Sequence, residues 1–385
     1  MGLLNHFKKK KNINVNPTQI CHAPDNHHYN SMIPFNMNTL SVYESVRTSI
    51  PIVDAAINKI VRLIGSFSIV TSDPNAQDPL DEFLKTVKVG PHSFGIDSFI
   101  SCYFDSMLTY GNAIGEIVLD FEKTNILALY NSCLKNVKIT LNRNNPLELS
   151  FFCKDGISFK PIKLPQLILF SALNPTPGQI KGTSLLRGLP FVTDILLKIY
   201  KSIALNFDRV GNVRFAITYK PPPNSDDFSS SKDIATNIAK EWSSAMSHNS
   251  PNSVKDFVAI GDVDIKVIGA DNQILDTNIP VRQMLEQIVA KTGIPPFLLG
   301  LSWSTSERMS KQQAEILTSE LEGYRRILSP IISKITSFWL KINNFNDNHI
   351  VSWNPIHLQD EVELSRAALL NAQANLISTN INTKK

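Results

Sequence analysis

The sequence predicts an α+β fold in which helices flank a small antiparallel sheet, and an α/β insertion separates two helices that lead into one long helix. Three observations carry this reading. Apolar residues recur at three- and four-residue steps over several stretches. Between about 114 and 170 they condense into short β-branched or aromatic runs separated by Asn, Gly and Pro. From Glu307 to Asn343 the steps alternate four and three, as in a helix packed along one seam. A chain of 385 residues is longer than one compact domain needs, so two or more regions are expected. Hydrophobic residues at 43% and charged residues at 19% exclude wholesale disorder.

Residues 1–40 are rich in Asn, His and Pro without periodicity and read as an irregular arm. A helical pattern runs from Val42 to about Ser72, striped by Val53, Ile57, Ile60, Val61 and Ile64, with Pro51 in the first turn of its main helix and Pro74 and Pro79 ending it. A second helix is expected from Ile96 to Tyr110, closed by Gly111. Ile114–Leu119, Val137–Leu141, Leu147–Phe152 and Leu167–Phe170 read as one small antiparallel sheet. A helix follows from Pro190 to Val210, closed by Gly211.

Residues 212–275 form the insertion: a strand Val213–Tyr219, a Pro- and Ser-rich loop, a helix near Asp233–Ser247, and strands at Phe257–Ile260 and Asp264–Ile268. From Lys220 to Asp271 there are five Lys against seven Asp and one Glu, so the insertion is locally acidic. A return helix spans Ile279–Thr292, then the long helix carries Pro330, whose ring clashes with the carbonyl four residues back and predicts a kink. A strand Ile350–Trp353 and a helix Leu358–Ile377 finish the chain.

The function classes narrow by chemistry. The chain holds no GxSxG, HExxH or CxxC. Gly178–Ser184 (GQIKGTS) loosely suggests a phosphate loop, but its Lys precedes the second Gly, so the backbone amides would not turn inward ahead of it. The eight His are scattered apart from His27 and His28, and Asp360, Glu361 and Glu363 suit a helix N-terminus. No cofactor and no metal are expected. Cys21, Cys102, Cys133 and Cys153 lie far apart and read as reduced and mostly buried.

The segment MGLLNHFKKKKN places its basic cluster after the apolar stretch, the wrong order for a secretory signal, and lacks the Ser or Thr of a myristoylation site. No run of about 18 apolar residues appears, so no membrane span is expected. The net charge of +4 is too weak to identify a nucleic-acid binder.

The unusual feature is the polar loop and helix start Leu299–Ser310 (LGLSWSTSERMS), followed by Lys311. Hydroxyls with Arg or Lys suit sequence-independent contact with phosphate oxygens. Ser304 or Thr305 could equally cap the long helix, with Glu307 in its first turn, and both roles can coexist.

Three local signatures in this order resemble the portal proteins of tailed bacteriophages, over roughly residues 40–345. Tyr110-Gly111-Asn112-Ala113 with Ile114–Ile117 is similar to that family's helix ending in YGNA and entering a strand. Lys181–Leu185 (KGTSL) is similar to the entry into its first stem helix, although Gly188-Leu189-Pro190 departs from the continuous helix usual there. Gly293–Gly300 (GIPPFLLG) is similar to the signature that precedes its tunnel loop.

The resemblance implies a ring-forming subunit and not an enzyme. It implies a wing at 41–184, stem helices at 185–211 and 276–297, a clip at 212–275, a tunnel loop at 298–309, a long kinked helix at 310–345, and a short crown in 346–385. Trp303, Ser304, Ser306, Arg308 and Lys311 would face double-stranded DNA. Lys220, Asp226, Asp227, Lys232, Lys255 and Asp256 of the clip would meet the terminase large subunit and the head–tail adaptor. The major capsid protein and scaffold would be further partners. Subunits, about twelve, would close by repeating one heterologous contact. A different head–tail ring protein would not need the helix–insertion–helix–GIPP order, and a DNA-processing enzyme would need a carboxylate cluster for divalent metal.

Overall fold

The computed structural model describes residues 36–141, 145, 148–177, 179–211, 214–220, 228–246, 262–268, 277–301 and 306–356. Contacts divide the chain into two compact units, Met1–Thr193 with Leu285–Lys385, and Asp194–Met284. Helices and small antiparallel sheets are mixed along the chain, as an α+β fold requires.

The first unit is built on α4 (Ile96–Tyr110), whose Phe99, Tyr103, Phe104 and Met107 are fully buried. Helices α1 (Asn36–Ser49) and α2 (Pro51–Leu63) pack with it, and Pro51 occupies the first turn of α2, where its missing amide costs nothing. On α4 lies an antiparallel sheet ordered β3 (Ile126–Asn131), β2 (Asn112–Leu119), β7 (Ile168–Ala172). Gly115 lets the Phe99 ring come within 2.8 Å of where a Cβ would stand.

The single sheet expected from the sequence is in fact two. β4 (Val137–Leu141), β5 (Leu149–Asp155) and β6 (Ser158–Pro161) form a separate sheet, and Ile114, Cys153, Ile162 and Ile168 are buried in one cluster drawn from both. β2 is buried on both faces, against α4 on the Gly115 side and in this cluster on the Ile114 side, so the second sheet covers the face that α4 leaves open.

The first helical stretch is also shorter than expected. It stops at Leu63, Gly65 turns the chain at φ +77°, and Phe67–Thr71 is a strand, β1. Its partner is β10 (His349–Trp353), antiparallel, with Phe67 opposite Trp353 and Thr71 opposite His349. Pro74 opens a helix instead of ending one: α3 spans Pro74–Thr86, and the Asp73 side chain accepts the Asn75 amide at 3.0 Å. Pro79 lies inside α3, at the cost of one amide donor.

Two stretches cross the boundary between the units: α5 (Leu189–Gly211) and α7 (Asn278–Thr292). In the second unit β8 (Arg214–Lys220) pairs antiparallel with β9 (Asp262–Ile268), Lys220 opposite Asp262, and α6 (Phe228–Met246) packs on β8. Back in the first unit, α8 (Glu307–Ile342) runs as one element through Pro330 and buries Leu317, Leu321, Leu328, Ile331 and Ile335 along its seam.

Cys153 is buried, but Cys102 and Cys133 are exposed free thiols, against the expectation that most cysteines are buried. Cys102 lies on a helix whose apolar face is defined by Phe99, Tyr103 and Phe104, and it projects from the other side. Among the described residues no helix is long and apolar enough to cross a membrane. Residues 1–35 of the arm, Cys21, the strand Phe257–Ile260 and the helix Leu358–Ile377 with its acidic residues lie outside the described residues.

Candidate functional site

The YGNA and KGTSL segments, about 70 positions apart, meet in the first unit. α4 ends at Tyr110, and Gly111 takes the left-handed conformation (φ +79°) while its amide donates to the Met107 carbonyl. The Gly111 carbonyl accepts the Leu173 amide at 2.8 Å, and the Leu173 carbonyl accepts the Thr183 amide at 2.7 Å. Asn112 Oδ1 accepts the Gly182 amide at 2.9 Å. Ser184 Oγ donates to the Thr109 carbonyl at 2.6 Å and accepts the Leu186 amide at 2.9 Å, and the Leu185 amide reaches the Leu108 carbonyl at 3.0 Å.

Such close backbone approach leaves no room for side chains. A Cβ on Gly182 would fall on the Gly111 carbonyl oxygen and the Leu173 backbone, and one on Gly111 would stand 2.6 Å from the Ser184 amide nitrogen. Tyr110 completes the junction. Its hydroxyl donates to Glu44 at 2.9 Å, and Glu44 also receives Lys135 at 2.9 Å. Burial and the Glu44 carboxylate raise the phenol above its ordinary range, so Tyr110 stays a neutral donor. The residues of the motif thus divide the junction between them. Tyr110 ties α4 to α1, Gly111 turns the chain, and Asn112 holds the segment that leads into α5.

The GIPPFLLG segment is likewise a firm stop. Thr292 Oγ1 donates to the Ile288 carbonyl at 2.9 Å, Gly293 turns at φ +70°, and Ile294 is buried. Pro296–Leu299 forms a 3₁₀ turn against α2, closed by Gly300 at φ +76°, and the Leu301 amide returns to the Pro296 carbonyl at 3.0 Å. At the start of α8 the Ser306 side chain accepts the Met309 amide at 3.3 Å. The cap is thus Ser306, and not Ser304 or Thr305 as the sequence suggested; those two and Trp303 lie outside the described residues. Two anchored ends frame the loop.

Of the residues expected to face DNA, the structure describes three. Ser306 and Arg308 are exposed, and Lys311 is half-buried one turn further along α8. Of the six clip residues it describes two: Lys220 ends β8, and Lys232 is exposed on α6. Asp226, Asp227, Lys255 and Asp256 lie outside the described residues. Among the described residues no group of His, Cys, Asp or Glu could hold a metal ion.

One residue was not singled out by sequence reasoning. Arg325, 2% exposed, donates from Nε and Nη2 to the Ile64 carbonyl at 2.9 and 2.6 Å and from Nη1 to Glu322 at 2.8 Å. Its guanidinium lies 5.0 Å from the centre of the Trp353 ring, and Gly65 leaves it space. It joins α8 to the end of α2 and to β10. The signal was slight: Arg325 stands beside the seam residue Tyr324, four residues after Leu321 and three before Leu328, and so on the buried side of the helix. Lys334 adds a second tie, donating to the Ile168 carbonyl at 2.8 Å, with burial pushing its pKa down.

No protein-family model matches the sequence, and comparison with curated proteins finds no relative. Solved structures do match. A chain from the neck of the empty gene transfer agent (GTA) particle, computed with C6 symmetry, is 13% identical, with 88% of this chain and 89% of that chain covered and a TM-score of 0.63. A chain from the neck of the native GTA particle, computed with C12 symmetry, is 12% identical over 87% and 89%, with a TM-score of 0.60. The chain shares their fold. A phage portal protein of the HK97 family from Corynebacterium diphtheriae also matches, at 14% identity over 86% and 96%, but its TM-score of 0.42 is too low to add to the fold assignment. The likeness to the neck chains extends over nearly nine-tenths of this chain and agrees with the α+β fold read from the sequence.

Proposed function

We infer that the chain is the repeating subunit of a portal ring, a structural channel through which double-stranded DNA enters and leaves a phage-like particle. The observation that carries this reading is the fold shared with particle-neck chains over nearly nine-tenths of the sequence. The neck computed with C12 symmetry supports a ring of twelve. The two locked signature segments fit the same reading, because each fixes an entry to or exit from a stem helix.

In this reading residues 41–184 are the wing, α5 and α7 the stem, 212–275 the clip and 298–309 the tunnel loop. Residues 310–345 are the long wing helix, and 346–385 hold the crown. The major capsid protein and scaffold would meet the wing during assembly in the host cytoplasm, and the finished subunit would sit at the portal vertex of the virion. The terminase large subunit and then the head–tail adaptor would take turns on the acidic clip. Hydrolysis of ATP belongs to the motor, in keeping with a sequence that offers no phosphate loop.

A channel must touch DNA without gripping it, and a Ser-rich loop followed by Arg308 and Lys311 gives weak contact with phosphates that reads no bases. The double variant Arg308→Ala/Lys311→Ala is expected to lower the yield of filled particles about tenfold, from two lost phosphate contacts. Unchanged packaging in a particle assay would remove these side chains from the channel. Deleting residues 221–261 is expected to abolish terminase docking while the first unit still folds. Retained docking in a pull-down would assign the motor's seat elsewhere.

A further inference from the structure

The sheet of β4, β5 and β6 turns one face to the core and the other outward. On the inner face Phe151 meets the Phe170 ring edge-on, and Val137, Ile139 and Cys153 join the same cluster. Side chains alternate along a strand, so Ser150, Phe152 and Lys154 project from the opposite face. The cross-strand register then fixes that outer face row by row. Lys138 stands opposite Phe152, and Phe152 opposite Pro161, so one row crosses all three strands. Lys154 stands opposite Phe159 in the next row, and Thr140 opposite Ser150 on the other side.

The outer face therefore carries an apolar strip of Phe152, Phe159 and Pro161 bordered by two ammonium groups. Phe159 is 42% exposed and Phe152 is half-buried. The two rings are diagonal neighbours, roughly 7 Å apart, so each has space for a flat partner of its own. Among the described residues neither Lys138 nor Lys154 has an ion-pair or hydrogen-bond partner. The strands place no carboxylate on this face. Asp155, next along β5, belongs to the alternate row and is held by Lys160.

We propose that this face binds single-stranded nucleic acid, with unpaired bases stacked on Phe152 and Phe159 and phosphates met by Lys138 and Lys154. The pattern selects the ligand. Unopposed cations call for an anion, and exposed rings beside them call for a flat apolar partner. A single strand supplies both in alternation along one backbone. A duplex hides its base faces in the stack and offers phosphates alone. An acidic peptide matches the lysines but brings no planar partner for the rings. The face holds no Arg, Asn or Gln to read base edges, so binding is tolerant of sequence. Bases and phosphates are common to DNA and RNA, and either strand fits. This proposal does not depend on the DNA-channel reading, which concerns duplex DNA and a different segment.

Fluorescence anisotropy of labelled oligothymidylate and oligouridylate, each of about twelve nucleotides, titrated with the full chain tests it. Both are expected to bind. Phe159→Ser should weaken each about tenfold, the loss of one stacked base, and Phe159→Tyr, which keeps a ring, should bind like the parent chain. Lys138→Gln/Lys154→Gln should flatten the dependence of log affinity on log salt by about 1.4, as two lost phosphate contacts require. Lys59→Gln/Arg62→Gln, which removes two exposed charges from α2, should leave that slope as it was. Single-strand binding that Phe159→Ser leaves intact would overturn the proposal, as would an equal loss of duplex binding in that variant. Binding of only one of the two oligonucleotides would also contradict a face that meets bases and phosphates alone. Displacement of the oligonucleotide by polyglutamate at equal charge concentration would overturn it in favour of an acidic protein segment.

Discussion

Replacing Gly182 by Ala is expected to unfold the first unit or leave it unstable by roughly 4 kcal/mol or more, because a single methyl group must enter space held by backbone. The added Cβ would overlap the Gly111 carbonyl oxygen and the Leu173 backbone, neither of which can swing aside as a side chain does. Moving them would also break the bonds from Leu173 to Gly111, from Thr183 to Leu173 and from Gly182 to Asn112. The effect is steric, since Gly182 does not lie in the left-handed region. Gly156 is the natural control. It has a positive φ (+60°) and nothing within 4 Å of a new Cβ, so Gly156→Ala is expected to cost only about 1 kcal/mol from backbone strain. Thermal denaturation of both variants, followed by circular dichroism, separates the two causes. Similar, small shifts for both would mean that the two signature segments are not packed as described.

Arg325→Met should lower stability by about 3 kcal/mol even though Met fills much of the same volume. The loss comes from the Ile64 carbonyl, buried and left without the two donors it now accepts, and from the guanidinium that covers Trp353. Arg325→Lys should recover little, because an ammonium cannot supply the fork of donors or lie flat on the indole. Glu322→Ala should change stability by no more than about 0.5 kcal/mol, since Glu322 is half exposed and its ion pair is screened. Urea titration read by Trp fluorescence would rank the three. Equal effects of Glu322→Ala and Arg325→Met would place the energy in the ion pair instead of the carbonyl contact.

What the sequence made legible follows the range of the interactions. α4, with its glycine stop, was plain because local periodicity and one residue with positive φ define it. The same holds for α7 with Gly293 and for α8. The GIPPFLLG turn was visible for the same reason, with its two glycines at positive φ. β1 was not legible, because its partner β10 lies at the other end of the chain and its apolar residues continue the stripe of α2. Pro74 looks like a stop in the sequence and is a start in the structure; Asp73 just before it, a capping residue, is the signal that distinguishes them. The division into two sheets depends on packing between Ile114, Cys153, Ile162 and Ile168, which no local window contains. The meeting of Gly111 with Gly182 is equally non-local, although each glycine could be marked singly.

For the candidate site, the helix start was legible to within two residues, and the structure assigns the cap to Ser306. Arg308 and Lys311 fall on the first turns of α8 as the sequence implied. Arg325 is hard to pick out because an Arg on a long helix is usually a solvated one, and only its place between Leu321 and Leu328 sets it apart.

Closure of the chain into a ring around a channel can be checked by negative-stain electron microscopy of the purified protein combined with light scattering for mass. Rings with a central hole and a mass near twelve times 43.0 kDa are the expected result, with eleven or thirteen subunits equally in accord. A compact monomer that persists when the chain is produced together with its capsid and scaffold proteins would exclude the ring.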